Sequence, residues 1–114
     1  MAFINLQNEP EVTLAPGVVA QTPHGEQLMF SVVSIDENGE VPLHSHPHEQ
    51  GGYVIEGKLR LVIDGDEQIL RPGQMYLIPG DVPHSASGVD GAVRVLDVFA
   101  PVREDYAEKR RALL

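Results

Sequence analysis

The stretch from Gly52 to Asp81, GYVIEGKLRLVIDGDEQILRPGQMYLIPGD, decides the fold. It breaks into short β-like runs separated by turn residues. Gly52 to Glu56 stops at Gly57, and Lys58 to Ile63 stops at Asp64-Gly65-Asp66. Gln68 to Leu70 stops at Arg71-Pro72-Gly73, and Met75 to Ile78 stops at Pro79-Gly80-Asp81. Asp64-Gly65-Asp66 is the strongest hairpin signal in the chain. Upstream, the longest β-like run, Gln27 to Ile35, ends in the turn Asp36-Glu37-Asn38-Gly39; downstream lies Ala92 to Phe99. This punctuation predicts an all-β barrel or sandwich rather than α/β units. Arg103 to Leu114 has helical composition, with Glu104 and Asp105 in its first turn and Lys109, Arg110 and Arg111 in its last, a charge order that suits the helix dipole.

A chain of 114 residues is read as one domain, residues 1–114, with the core of the barrel at about 27–99. Eight Lys and Arg against 17 Asp and Glu give a net charge of −9. That sign argues against nucleic acid and anionic membranes as partners. Met1 to Glu11 lacks the basic stretch and apolar run of a secretory signal, and no later segment has the apolar length of a membrane span, so a cytoplasmic location is expected. With no cysteine, thiolate nucleophiles and Cys-rich zinc sites are excluded, and any metal would be held by nitrogen and oxygen.

In Val93-Arg94-Val95-Leu96-Asp97-Val98-Phe99, Leu96 and Val98 oppose Val93, Val95 and Phe99, so both faces are apolar. The second face must be covered, either by a second sheet of the same subunit or by a partner subunit. Phe3, Ile4 and Leu6 read as an N-terminal strand that would join such an assembly, and a homodimer is expected.

His44, His46 and His48 crowd within five residues, next to Glu49 and Gln50. Alternate residues of an extended segment share a face, so His44 and His46 can meet at one point inside a barrel and form half of a metal site. His24 and His48 are read as surface or hydrogen-bonded residues. The surrounding frame resembles the two motifs of the cupin superfamily. Gly39-EVPL-His44-S-His46-PHE-Gln50-GGYVIE-Gly57 is similar to the first, with one residue fewer after the opening glycine and Gln in place of Glu. Gly73-QMYLI-Pro79-G-Asp81-VP-His84 is similar to the second, with Asp81 for a glycine and Gly88 for the closing asparagine.

This resemblance implies a double-stranded β-helix, a jelly-roll-like barrel, with one divalent transition metal on His44, His46, Gln50 and His84. Motif spacing selects Gln50 over Glu49, although Pro47 interrupts the strand parity between them, and a part for His48 or Glu49 stays open. Imidazole and amide donors suit Zn, Ni, Fe, Mn, Co or Cu and disfavour Ca and Mg. An amide leaves the ion its full positive charge, which makes a stronger Lewis acid and a looser site.

The tail Asp97-Val-Phe99-Ala-Pro-Val-Arg103, taken with the His44 to Gln50 and Tyr53 to Gly57 stretches, resembles the small pectin-degradation cupins, which open unsaturated uronic acids to linear keto forms. That resemblance implies a non-oxidative isomerase of a small acidic sugar, with Asp97, Phe99 and Arg103 in turnover. Strand parity with Val93 and Val95 independently turns Asp97 and Phe99 inward if those valines line the barrel, and Arg103 has the planar fork that clamps a carboxylate. Two alternatives stand beside it: a metal-dependent dioxygenase, and a non-catalytic small-molecule-binding cupin. Met29, Tyr53, Met75 and Tyr76 are read as core without a chemical part.

Overall fold

Pairing between distant segments, more than local propensity, sets the architecture. The computed structural model describes residues 3–114; Met1 and Ala2 lie outside the described residues. The strands are β1 (Val12–Ala15), β2 (Val18–Gln21), β3 (Met29–Ile35), β4 (Glu40–His44), β5 (Glu49–Glu56), β6 (Leu59–Ile63), β7 (Asp66–Leu70), β8 (Met75–Ile78), β9 (His84–Gly88) and β10 (Val93–Ala100), followed by helix α1 (Glu104–Arg111). They form two antiparallel sheets, one of six strands in the order β1-β2-β3-β10-β5-β8 and one of four in the order β4-β9-β6-β7. Val18, Ile35, Val54, Leu59, Leu61 and Val93 are among the buried residues that fill the space between them. At the β6–β7 hairpin, Asp64 and Gly65 both have positive φ (50° and 80°), the two-residue turn that an Asp-Gly pair favours.

β10 lies inside the larger sheet, hydrogen-bonded to β3 on one side and β5 on the other. Its residues Val93, Val95, Asp97 and Phe99 point inward and are buried. Cross-strand register aligns them with their neighbours in rows. Met29, Phe99, Gln50 and Ile78 form one row; Ser31, Asp97, Gly52 and Tyr76 form the next; Val33, Val95 and Val54 form an apolar row beneath it. In the smaller sheet, His44, His84 and Ile63 stand side by side on β4, β9 and β6.

Phe3, Ile4 and Leu6 form no strand. Phe3 and Ile4 are exposed loop residues, and Leu6 opens a single 3-10 turn, Leu6–Asn8, capped by the Asn5 side chain on the Gln7 N–H. The N-terminal segment is tied down by side chains instead. Gln21 donates to the Leu6 and Glu9 carbonyls, and Arg110 of α1 makes a two-pronged ion pair with Glu9 at 2.9 and 3.0 Å. α1 buries Ala107 against Met29, Phe99 and Val102, which seats it over the end of the barrel where Phe99 lies.

The other face of the larger sheet stays apolar and open. Phe30, Tyr53, Ile55, Met75 and Leu77 are exposed on it, Met75 and Leu77 by 71% and 74%, with Leu96 and Val98 half-buried between them. Tyr53 and Met75 therefore belong to the outer face and not to the core. No helix of the described residues is long and apolar enough to cross a membrane.

Gly57 joins β5 to β6 with φ +80°, and a Cβ there would sit 2.3 Å from the Ala92 carbonyl oxygen. Both the backbone angle and the neighbouring carbonyl require glycine. Gly57→Ala is expected to lower the unfolding free energy by more than about 1 kcal/mol, read as a lower urea midpoint with an unchanged slope.

Candidate metal centre

Three histidines from two places in the chain converge at one point of the barrel. His44 closes β4, His84 opens β9 directly across from it, and His46 follows in the β4–β5 loop. Their ligand atoms all lie within 4.8 Å of one another. Gln50 reaches the same place from β5 of the opposite sheet, its Oε1 3.1 Å from His46 Nε2. Gln50 is buried and Glu49 exposed, as alternation along β5 requires.

Backbone carbonyls fix the protonation pattern. Nδ1 of His44 lies 2.8 Å from the Pro42 oxygen, Nδ1 of His46 lies 3.1 Å from the His48 oxygen, and Nδ1 of His84 lies 2.8 Å from the Val82 oxygen. A carbonyl oxygen only accepts, so each Nδ1 carries its proton and each Nε2 keeps a lone pair. His84 Nε2 is buried with no hydrogen-bond partner among the described residues. His46 Nε2 faces an amide oxygen, so two lone pairs oppose each other. Unpaired electron pairs converging in a buried spot suit a cation, and the three imidazoles could hold a metal ion. Burial, then the Arg103 charge and the other two histidines, lower the His46 pKa to about 4; burial also lowers that of His84. Both rings are therefore neutral donors at ordinary pH.

One row deeper, Asp97 is buried, with one oxygen accepting a hydrogen bond from Tyr76 at 2.5 Å. The Tyr76 ring reaches it across Gly52, where a Cβ would lie 2.0 Å from the ring. Burial raises the Asp97 pKa to about 6, against the opposing pull of Tyr76, Gln50 and Arg103. Only an N–H of the Gln50 amide can favour the carboxylate, so the amide nitrogen faces Asp97 while its oxygen faces His46. Tyr76, read from sequence as core, is thus a polar group of the site. Its spacing carries no signal of this, because the bond depends on the absence of a side chain at Gly52, on another strand.

Phe99 is buried edge-on to His46, with ring centroids 5.6 Å apart. Arg103 is buried too, its guanidinium 3.8 Å from the Tyr106 ring centre and 5.2 Å from that of Phe99. Its Nε and Nη2 bond Asp105, so one edge of the fork is engaged. His44, Gln50, His84, Asp97, Phe99 and Arg103 line one cavity of about 40 Å³, room for a small functional group and not for a six-membered ring. His48 touches the ring of His46 without entering the three-histidine cluster.

In the metal-free protein, the sign of the Asp97 contribution follows from its raised pKa. Below about pH 3.8 both folded and unfolded carboxyls are protonated. Between there and about pH 6 only the folded one keeps its proton, so stability falls as pH rises, and the cost is complete above pH 6. Asp97→Asn removes that cost. Chelator-treated Asp97→Asn is expected to be more stable than wild type by about 3 kcal/mol at pH 8, the advantage disappearing near pH 4 in urea titrations. Equal stability at pH 8 would contradict the burial of a charge at this position.

Residues 31–99 match the family described as Cupin domain. The pectin degradation protein KdgF of Dickeya dadantii is 31% identical over 82 residues, 71% of this chain and 74% of that protein. The L-ectoine synthase of Mycolicibacterium vanbaalenii is 34% identical over 79 residues, 68% of this chain and 60% of the synthase, so the chain spans less than two thirds of that enzyme. The solved structure of KdgF from a Halomonas species superposes with a TM-score of 0.82 at 29% identity, covering 91% of this chain and 96% of the other.

Proposed function

The chain belongs to the cupin family, and from that premise we propose that it is a metal-dependent, non-oxidative isomerase that opens an unsaturated uronic acid, or a similar small sugar acid, to its linear keto form. The observation that carries the reading is a protonatable carboxyl, Asp97, held one row beneath three converging imidazoles in an otherwise apolar barrel. The relatives in pectin degradation supply the substrate class.

The reaction moves one proton and loses no atom. Asp97 takes the proton of the anomeric hydroxyl; the bond from the anomeric carbon to the ring oxygen breaks as the carbonyl forms, leaving an enolate. Asp97 then returns the proton to the alkene carbon, which converts the enolate to a ketone. His44, His46, His84 and Gln50 would hold one divalent transition metal, which when bound supplies positive charge for the enolate oxygen. Tyr76 fixes the Asp97 carboxyl by its hydrogen bond. Phe99 walls the cavity beside His46, and the other edge of the Arg103 fork pairs with the substrate carboxylate. In a protein of net charge −9 those cationic groups are what would admit an anion. With an enclosed volume of about 40 Å³, the sugar inserts only its reacting end and the rest lies across the mouth.

The test is the ultraviolet absorbance of an unsaturated galacturonate, followed with metal-loaded protein. Wild type is expected to speed its decay, while chelator-treated protein and Asp97→Ala leave it at the spontaneous rate. Elemental analysis of the same preparations should find metal in Asp97→Ala and little in His46→Ala or His84→Ala. Decay unchanged by wild type under every metal tried would overturn the reading.

The same reading includes a homodimer formed through the outer face of the larger sheet. In so acidic a chain, a largely apolar face is where two copies can meet with little repulsion, and a twofold axis brings like residues together. Sedimentation is expected to give twice the chain mass of 12.4 kDa, and Leu77→Glu a monomer.

A further inference from the structure

Ser31 lies in the middle of β3, fully buried, on the wall of the cavity that holds Asp97. It is the cross-strand neighbour of Asp97, on the side away from Gly52 and Tyr76. Its hydroxyl has no hydrogen-bond partner among the described residues. Around the cavity Tyr76 is engaged with Asp97 and Arg103 with Asp105, while the other unpartnered atom of the lining, His84 Nε2, belongs to the converging imidazoles. Burying a hydroxyl without a partner is destabilising, and an aliphatic side chain would remove the cost; Val33, the next inward residue of β3, occupies such a place in the row beneath. A group that harms the fold at the wall of the cavity, beside Asp97, is accounted for by a bond it makes when the cavity is filled.

We propose that Ser31 is a ligand-contacting residue, its hydroxyl hydrogen-bonding an oxygen of the sugar acid on which Asp97 acts. The ligand's class rests on the uronate reading above; the placement of Ser31 does not. An internal role makes the opposite prediction for stability. If the hydroxyl turned onto Asp97 or a backbone carbonyl, alanine would delete that bond and lower the melting temperature.

Four quantities are measured on wild type and Ser31→Ala. They are the melting temperature of the metal-free proteins, the calorimetric Kd of metal-loaded protein for D-galacturonate as an unreactive probe, and KM and kcat for the unsaturated uronate. The melting temperature should stay level or rise. Kd and KM should both rise about tenfold, with the smaller change in kcat. A lower melting temperature, or unchanged Kd and KM, overturns the assignment of Ser31. Wild type that binds galacturonate without consuming the unsaturated sugar overturns the isomerase reading alone, and the galacturonate Kd of Ser31→Ala then decides the inference. Wild type that does neither overturns both.

Discussion

Everything inside this barrel depends on the register of β10 between β3 and β5. The strand is hydrogen-bonded along both edges, and its parity turns Val93, Val95, Asp97 and Phe99 inward. A slip of one residue would exchange that set for Arg94, Leu96 and Val98, expelling the carboxyl and bringing a guanidinium into the core. Two things hold the register: the apolar residues of rows that interlock across three strands, and the close turn at Gly57, where the chain passes the Ala92 carbonyl. The register in turn supports a polar row between two largely apolar ones.

That polar row is electrostatically expensive, and the groups around it offset only part of the cost. Asp97 is removed from water, and its pKa rises even though Tyr76, Gln50 and Arg103 all favour the anion. In the low dielectric of the barrel, desolvation outweighs three nearby donors. The same environment keeps His46 and His84 neutral. Burial thus acts in opposite directions on acid and base and brings both toward the uncharged form, in which an imidazole donates a lone pair and a carboxyl can exchange a proton.

The imidazoles gain their orientation from the backbone. Three carbonyls, of Pro42, His48 and Val82, each hold one Nδ1 proton, and each belongs to a residue two positions from the histidine it orients. The aim of each ring is local; the convergence of the rings is not. His44 and His84 meet because β4 pairs with β9, and Gln50 meets His46 because the two sheets close on each other.

Much of the fold was legible in the order of residues. Turn chemistry located β3, β6, β8 and β10 to within a residue or two, the Asp64-Gly65 hairpin and the terminal helix, since Gly, Pro and Asp restrict the backbone locally. β4 and β9 were not legible: Pro42 and the run His84-Ser-Ala-Ser-Gly88 have little intrinsic strand preference and become strands only by pairing. The expected N-terminal strand failed for the converse reason, its apolar residues finding no sheet edge and its backbone held by Gln21 instead. In the candidate site, alternation along one segment joined His44 to His46, and the inward parity of Asp97 and Phe99 followed from the valines beside them. The Tyr76–Asp97 bond across Gly52, with the unpartnered hydroxyl of Ser31 beside it, draws on four strands distant in the chain. Sequence by itself determines which residues can turn, alternate and ligate; the tertiary structure alone decides which of them meet, because cross-strand neighbours are set by register and by whether the residue between them has a side chain.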